Sequence, residues 1–156
     1  MTIETDHLNF SHLDSKGPLL GLDLGTRTIG IAVCDPLRTV ATPVKTIKRT
    51  KFTIDLEEIV ELAKGRAAVG LIIGLPRNMD GTEGPRAQST RAFVRNAQAK
   101  TELAFAFWDE RLSTQAMNRE MIALDTSRAR RADLIDQMAA TFILQGAIDF
   151  MRQNNV

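Results

Sequence analysis

The sequence predicts an α/β domain built on a mixed five-stranded sheet that is covered by helices. Three short apolar runs lie close together near the start of the chain, and tight turns separate them, which is typical of antiparallel hairpins. Two later runs are apolar at every position, as in buried parallel strands, and each follows a stretch with helical spacing. The predicted element order is β-β-β-α-β-α-β-α-α.

The first three strands form a meander. Residues 19–24 (LLGLDL) and 29–35 (IGIAVCD) are joined by a glycine-containing turn at 25–28 and predict a β-hairpin. Residues 39–47 are rich in β-branched side chains and predict the third strand. Because Pro43 cannot donate to a sheet ladder, we expect this strand at an edge.

Two helical crossovers lead to the remaining strands. Apolar residues recur at helical spacing over 56–63, and the run at 67–74 predicts a central strand. Pro85 suits the first turn of a helix that continues to about residue 100. The run at 102–108 predicts the fifth strand.

The last third of the chain predicts two helices with a polar connection between them. Ser113 is a suitable N-cap for a helix over 114–122. Residues 124–131 are polar and basic, which favours a loop. The final helix, over about 132–152, has a broad apolar face.

The sequence predicts one domain with a short extension. Residues 1–17 follow neither the helical nor the strand period and end at a Gly-Pro pair, so we expect a mobile N-terminal extension. Residues 18–156 then form a single domain, a suitable size for one hydrophobic core. We find no internal repeat.

Composition narrows the class of protein. The 156 residues are 44% hydrophobic and 25% charged, with a net charge of +1, which excludes a disordered, collagen-like or disulfide-stapled chain. One cysteine, Cys34, excludes an intramolecular disulfide and a C-x-x-C metal site. No apolar run approaches the ~20 residues of a membrane span, and no secretory signal opens the chain. We therefore expect a cytoplasmic protein with no membrane partner.

Two acidic residues lie at unusual places in the predicted strands. Asp23 lies inside the first strand between two leucines, where an ionised carboxylate is costly unless it is paired or binds a metal. Its alternative role is a structural hydrogen bond to the following turn. Asp109-Glu110-Arg111 follows the fifth strand, at the edge where ligands bind in open α/β sheets. Arg111 could instead only pair with one of its acidic neighbours.

A third acid lies on the last helix. Asp136 shares a stripe with Ala140, Ile143 and Ala147, which are small or apolar. The helix dipole offers a modest structural explanation for an acid near the start of a helix. Asp133, one turn earlier, is an alternative for the same role.

These acids could converge at one edge of the sheet and hold divalent cations. Carboxylate oxygens without a Cys or His cluster select Mg²⁺ or Mn²⁺ rather than zinc. Two such ions can activate a water and stabilise the leaving oxygen in phosphodiester cleavage. The pattern therefore predicts a nuclease site.

The loop at 75–84 is the second candidate element. It is rich in glycine and polar residues and precedes a helix, which favours anion binding over an ordinary loop. Arg77 offers a guanidinium fork for phosphate. Other arginines could neutralise a nucleic acid backbone nearby: Arg86, Arg91, Arg95, Arg128, Arg130 and Arg131. Trp108 could stack on a base, although a core position is the stronger expectation.

Four segments together resemble the YqgF family of Holliday-junction-resolvase-like proteins, also described as pre-16S rRNA nucleases. The resemblance rests on GLDLGTRTIGIAV (21–33), IIGLPRNMDGTEGP (72–85), WDERLST (108–114) and IDQMAATFILQ (135–145). It covers about residues 19–150 and leaves the extension outside. Thr28 departs from the pattern, since the family often has a second basic residue there.

The resemblance implies an RNase H-like fold and a metal-dependent nuclease. Asp23, Glu110 and Asp136 match the family's catalytic and metal-holding acids. The substrate-binding residues implied by the matching motifs are Thr26, Arg27, Arg77, Asn78, Gly81 and Arg111. The implied substrate is a four-way DNA junction, which would favour a homodimer because the junction is two-fold symmetric, or the precursor of 16S rRNA.

Two other classes of function stay open at this point. The GLDLGT segment is similar to the phosphate loop of the actin and sugar-kinase ATPases, but those proteins use two lobes and this length provides one. A catalytically silent module that binds nucleic acid or protein is the other alternative. The acids favour an enzyme over such a module, since they repel phosphate unless cations intervene.

Overall fold

The computed structural model describes residues 9–112 and 128–154 and confirms the predicted α/β architecture. Its strands are β1 (Leu19–Leu24), β2 (Thr28–Cys34), β3 (Ala41–Lys48), β4 (Gly70–Leu75) and β5 (Ala104–Asp109). Its helices are α1 (Phe52–Gly65), α2 (Pro85–Gln98) and α3 (Arg128–Gln153). A single 3-10 turn, Glu110–Leu112, follows β5.

The five strands form one sheet in the order β3-β2-β1-β4-β5. The meander β1-β2-β3 is antiparallel, whereas β1, β4 and β5 run parallel to one another. β3 is an edge strand, as Pro43 predicts. The carboxyl ends of the three parallel strands consequently meet at one edge of the sheet.

Two hydrophobic cores lie on opposite faces of the sheet. On one face, Leu20 and Leu22 of β1 pack with apolar residues of α1 and α2. On the other face, Leu19 packs with apolar residues of α3. Since side chains alternate along a strand, residues 21 and 23 face the α3 side.

Close packing brings α3 onto the sheet. A Cβ at Gly21 would lie 2.7 Å from the Cβ of Leu144, and one at Gly146 would lie 2.8 Å from the Trp108 ring. Real Cβ atoms essentially never approach so closely, so glycine at both positions allows the helix to lie against β1 and β5. None of the helices in the described part of the chain has the length and apolarity of a bilayer-spanning helix.

The N-terminal segment predicted as a mobile extension over residues 1–17 is described in part. Its described part, residues 9–17, packs on the domain. Phe10 is 3% exposed and contacts the rings of Trp108 and Phe150. His12 donates a hydrogen bond from Nε2 to the carbonyl of Phe105, 2.5 Å away. The segment therefore covers part of β5, which is an edge strand of the sheet.

Other boundaries differ from the prediction for local reasons. The fourth strand, predicted from residue 67, begins at Gly70. The residues before it complete the turn after α1, where Ala67 has a φ of 54° and the amide of Ala68 donates to the carbonyl of Ala63. The predicted loop over 124–131 is helical from Arg128. The helix predicted over 114–122 lies outside the described residues.

Candidate active site

The sheet edge where β1, β4 and β5 end carries the predicted acids. Asp23 is the fifth residue of β1, and Glu110 directly follows β5. Asp136 lies on α3, which crosses the same face of the sheet. Two of the acids, Asp23 and Glu110, are in direct contact.

The carboxyl groups of Asp23 and Glu110 share a hydrogen bond in which Glu110 donates. Desolvation by burial and the charge of Asp23 raise the pKa of Glu110 from 4.5 to about 7. Desolvation also raises the pKa of Asp23, although the hydrogen bond from Glu110 and the charge of Arg86 oppose it. Near neutral pH, Glu110 is therefore about half protonated, and a cation could replace its proton.

Glycine at the end of β4 makes room for Glu110. A Cβ on Gly74 would lie 2.5 Å from Oε1 of Glu110 and 2.6 Å from Cδ1 of Ile143. The absence of a side chain at this position thus leaves room for the Glu110 carboxyl group beside Asp23.

A second glycine brings Asp136 into the site. Gly30 pairs with Asp23 across β1 and β2, and a Cβ there would lie 1.9 Å from the carbonyl oxygen of Asp136. The helix backbone consequently rests directly on the strand beside Asp23. The Asp136 carboxylate accepts a hydrogen bond of 3.0 Å from Oγ1 of Thr28, and its charge contributes to the raised pKa of Asp23.

The oxygen atoms of the three acids are suitable ligands for a divalent cation. Within residues 9–112 and 128–154, no three His, Cys, Asp or Glu side chains stand close enough together to enclose a metal as they are arranged. Asp23 and Glu110 nevertheless form a crowded pair of oxygen donors, whose pKa values are raised chiefly by desolvation on burial. Oxygen-only donors of this kind suit Mg²⁺ and Mn²⁺.

Arg111 connects the end of β5 to the loop at 75–84. Its guanidinium binds the carboxylate of Asp109, which is 2% exposed, with Nη2 2.5 Å from Oδ2. Its Nη1 lies 3.5 Å from the carbonyl of Asn78 and 3.4 Å from that of Met79. The alternative of an internal ion pair is thus present in the structure, and the phosphate contact implied by the resemblance stays a prediction.

The loop at 75–84 is held by its own hydrogen bonds. Arg77 donates to the carbonyl of Gly81 at 2.5 Å, and its Nε lies 3.8 Å from a carboxylate oxygen of Glu83. The amide of Gly81 binds the carbonyl of Asn78, and Gly81 has a φ of 89°, which favours glycine. The structure therefore places Arg77, Asn78 and Gly81 at the site edge on a well-supported loop.

The turn between β1 and β2 places Thr26 and Arg27 at the same edge, both exposed. The turn closes with a hydrogen bond of 2.8 Å from the amide of Gly25 to the carbonyl of Thr28. The six predicted substrate-binding residues therefore lie on the segments that follow β1, β4 and β5, and their contact with a substrate stays a prediction. Trp108, by contrast, is buried among aromatic residues, as expected for a core residue.

Two functional candidates were not singled out by the sequence. In the sequence Thr28 is a departure from the family pattern, yet in the structure its hydroxyl donates a hydrogen bond to the Asp136 carboxylate. Arg49, one of several basic residues after β3, donates from Nη1 to the carbonyl of Gly25 at 2.6 Å and so reaches the site edge. Basic clustering alone is a weak signal, because surface lysines and arginines are common.

A separate cavity of about 870 Å³ lies at the opposite end of the sheet. It is formed by α1 and the connection before β5, including Leu56, Val60, Lys100 and Leu103. None of the predicted site residues lines it. Its volume alone does not connect it with the chemistry of the acids.

The arrangement defines a class of protein. The sheet is mixed and has the strand order β3-β2-β1-β4-β5, with a carboxyl pair at its parallel edge and a third acid on the closing helix. This is the arrangement of an RNase H-like nuclease. The chain belongs to the RuvX family, described as Holliday junction resolvases, whose family model matches residues 17–150. This result goes against the ATP-binding alternative.

Curated relatives carry a related name. A protein of Paracoccus denitrificans named "Putative pre-16S rRNA nuclease" is 59% identical over 140 residues, 90% of this chain and 89% of the relative. A protein of Nitrobacter winogradskyi with the same name is 60% identical over 139 residues, 89% of this chain and 85% of the relative.

Solved structures show the same fold. Thermus thermophilus RuvC in complex with a Holliday junction substrate superposes with a TM-score of 0.58 at 14% identity, covering 90% of this chain and 98% of RuvC. A second Thermus thermophilus RuvC structure gives a TM-score of 0.53 at 12% identity. At this level of identity, the likeness establishes the fold.

Proposed function

We propose that this protein is a divalent-metal-dependent endonuclease in which Asp23, Glu110 and Asp136 hold the metal and act in catalysis. The observation that carries the proposal is the proton-sharing contact between Asp23 and Glu110 at the edge where β1 and β5 end. A purely structural role would need only one such acid, hydrogen-bonded to the backbone. Two mutually repelling carboxyl groups instead indicate a site that a cation completes.

The residues of the chain have distinct roles in this proposal. Asp23 and Glu110 provide oxygen ligands, and Asp136 joins them by exchanging its hydrogen bond with Thr28. Bound Mg²⁺ or Mn²⁺ would supply charge stabilisation for the phosphodiester and lower the pKa of the attacking water. Arg86, whose charge acts on both Asp23 and Glu110, offsets part of their repulsion toward the backbone of the substrate.

The proposed substrate is the precursor of 16S rRNA, trimmed near its 5′ end during ribosome biogenesis in the cytoplasm. The names of relatives at 59% and 60% identity support this choice over a four-way DNA junction, which the family description suggests. Trimming of RNA needs one active site, whereas resolution of a junction needs two related by symmetry. A homodimer is therefore part of the junction alternative.

A paired cleavage assay with Mn²⁺ tests the proposal. The assay offers labelled 16S rRNA precursor and a labelled four-way DNA junction to wild type, to Asp23→Asn, and to Asp14→Asn as a control at an exposed aspartate outside the site. We expect cleavage of the precursor by wild type and the control, and its loss in Asp23→Asn. Cleavage of the junction alone would establish the alternative substrate. Failure of the folded wild type to cleave either would favour a silent binding module.

A further inference from the structure

We propose that a small cleft beside the acids binds a backbone phosphate of the nucleic acid, next to the phosphodiester that is cleaved. The proposal rests on the nuclease function above and names a new part of the site. The cleft has a volume of about 40 Å³ and lies between the β1–β2 turn and the first turns of α2. Its polar lining consists of Gly25, Thr26, Arg49, Arg86, Ser89 and Thr90.

Arg49 is the fixed cation of the cleft. Its backbone amide donates to the carbonyl of Arg27 at 2.8 Å, and its Nη1 donates to the carbonyl of Gly25 at 2.6 Å. These two bonds anchor the half-buried side chain to the β1–β2 turn. A guanidinium carries five N–H donors in a fixed plane, so the remaining donors are available to an anion.

Arg86 is the cation between the cleft and the acids. Arg86 lines the cleft together with Leu24, the residue that follows Asp23 in β1. Its charge also opposes the rise in the pKa of Asp23 and of Glu110. Its backbone carbonyl accepts a hydrogen bond of 3.0 Å from Thr90, while its side chain is exposed. Among the described residues, no hydrogen bond or close ion pair engages this guanidinium. It is therefore able to bind a phosphate without breaking an existing contact.

The size and chemistry of the cleft select a phosphate group. With a volume of about 40 Å³, the cleft is too small to enclose a base or a sugar, and a phosphate would reach it through its oxygens. Two arginines supply positive charge, and Thr26 and Ser89 add hydroxyl donors. Such contacts position a nucleic acid without reading its sequence.

The place of the cleft links it to catalysis. Leu24, which also lines it, is the neighbour of Asp23 in β1. A phosphate held there would lie beside the acids, with Arg86 between the two groups of negative charge. Loss of Arg86 should therefore weaken nucleic acid binding and, in the opposite direction, strengthen metal binding. A merely structural residue would not produce these opposed effects.

Binding of a labelled single-stranded RNA in EDTA, measured by fluorescence anisotropy over a series of KCl concentrations, tests the proposal. We expect Arg86→Gln and Arg49→Gln each to weaken binding several-fold and to reduce the salt slope by about one. Arg66→Gln makes the same charge change at an exposed residue after α1, at the opposite end of the sheet, and should bind as wild type does. Melting curves show whether each variant is folded. If Arg49→Gln disturbs the turn, substitutions at the exposed residues Arg86 and Ser89 test phosphate binding in the cleft instead.

Two further arms separate the outcomes. A single neutral methylphosphonate, moved along the RNA, should weaken wild-type binding at one linkage and leave Arg86→Gln unaffected there. Equal binding and equal salt slope for Arg86→Gln and Arg66→Gln would overturn the phosphate cleft while leaving the nuclease intact. Displacement of RNA by millimolar inorganic phosphate, with no linkage-specific effect, would assign the cleft to free phosphate and also overturn the proposal. Absence of RNA and DNA cleavage by wild type would refute the nuclease itself.

Discussion

Replacing Glu110 with glutamine should stabilise the metal-free protein, and the gain should depend on pH. The pKa of Glu110 is raised from 4.5 to about 7 by burial and by Asp23. A folded-state pKa above the unfolded value means that the folded state loses stability as the pH rises from 4.5 through about 7. At 1.36 kcal/mol for each pKa unit, the loss is about 3 kcal/mol. Glutamine avoids this loss because it does not ionise, and its amide can still donate to Asp23.

Urea denaturation in EDTA measures the effect. The free energy of unfolding of Glu110→Gln relative to wild type should increase by about 3 kcal/mol between about pH 4 and about pH 8. Glu102→Gln, at an exposed glutamate before β5, makes the same chemical change outside the site and should show no such trend. A difference between Glu110→Gln and wild type that stays constant over this pH range would refute the account of the carboxyl pair.

Three other perturbations test the packing and the site. Gly30→Ala, whose Cβ would lie 1.9 Å from the Asp136 carbonyl, should lower the free energy of unfolding by about 2 kcal/mol and reduce Mn²⁺-dependent cleavage. The control Gly65→Ala, which has nothing within 4 Å, should lower neither. Phe10→Ala should lower the free energy of unfolding by about 3 kcal/mol in urea denaturation, and an unchanged value would mean that the N-terminal segment is not packed in solution. Added Mn²⁺ should raise the Tm of wild type but not that of Asp23→Asn, and an equal rise in both would place the metal elsewhere.

The sheet could be predicted because its elements follow simple periods. The glycine turn between the first two apolar runs indicates the hairpin, and Pro43 indicates an edge strand. The N-terminal segment could not be predicted in this way. Its burial depends on distant contacts, such as the bond between His12 and a carbonyl 93 residues away in β5. A short segment without a period carries no signal for such contacts.

Two of the candidate acids, Asp23 and Asp136, could be recognised in the sequence because they interrupt apolar patterns. Asp23 interrupts a strand, and Asp136 interrupts an apolar helix stripe. The partners of the charged residues could not be predicted, since they depend on side-chain geometry. Arg111 binds Asp109 rather than Glu110, and this choice leaves Glu110 directed toward Asp23. The position of Thr28 against Asp136 depends on how closely α3 approaches the sheet.

A crystal structure of the protein grown with Mn²⁺ tests the central claim most directly, because anomalous scattering locates the ion. The account predicts an anomalous peak within coordination distance of Asp23 and Glu110, with Asp136 turned from Thr28 toward the ion. Crystals of Asp23→Asn should lack this peak. A manganese peak elsewhere in the wild type, or none at millimolar metal with the Asp23–Glu110 hydrogen bond intact, would contradict the account.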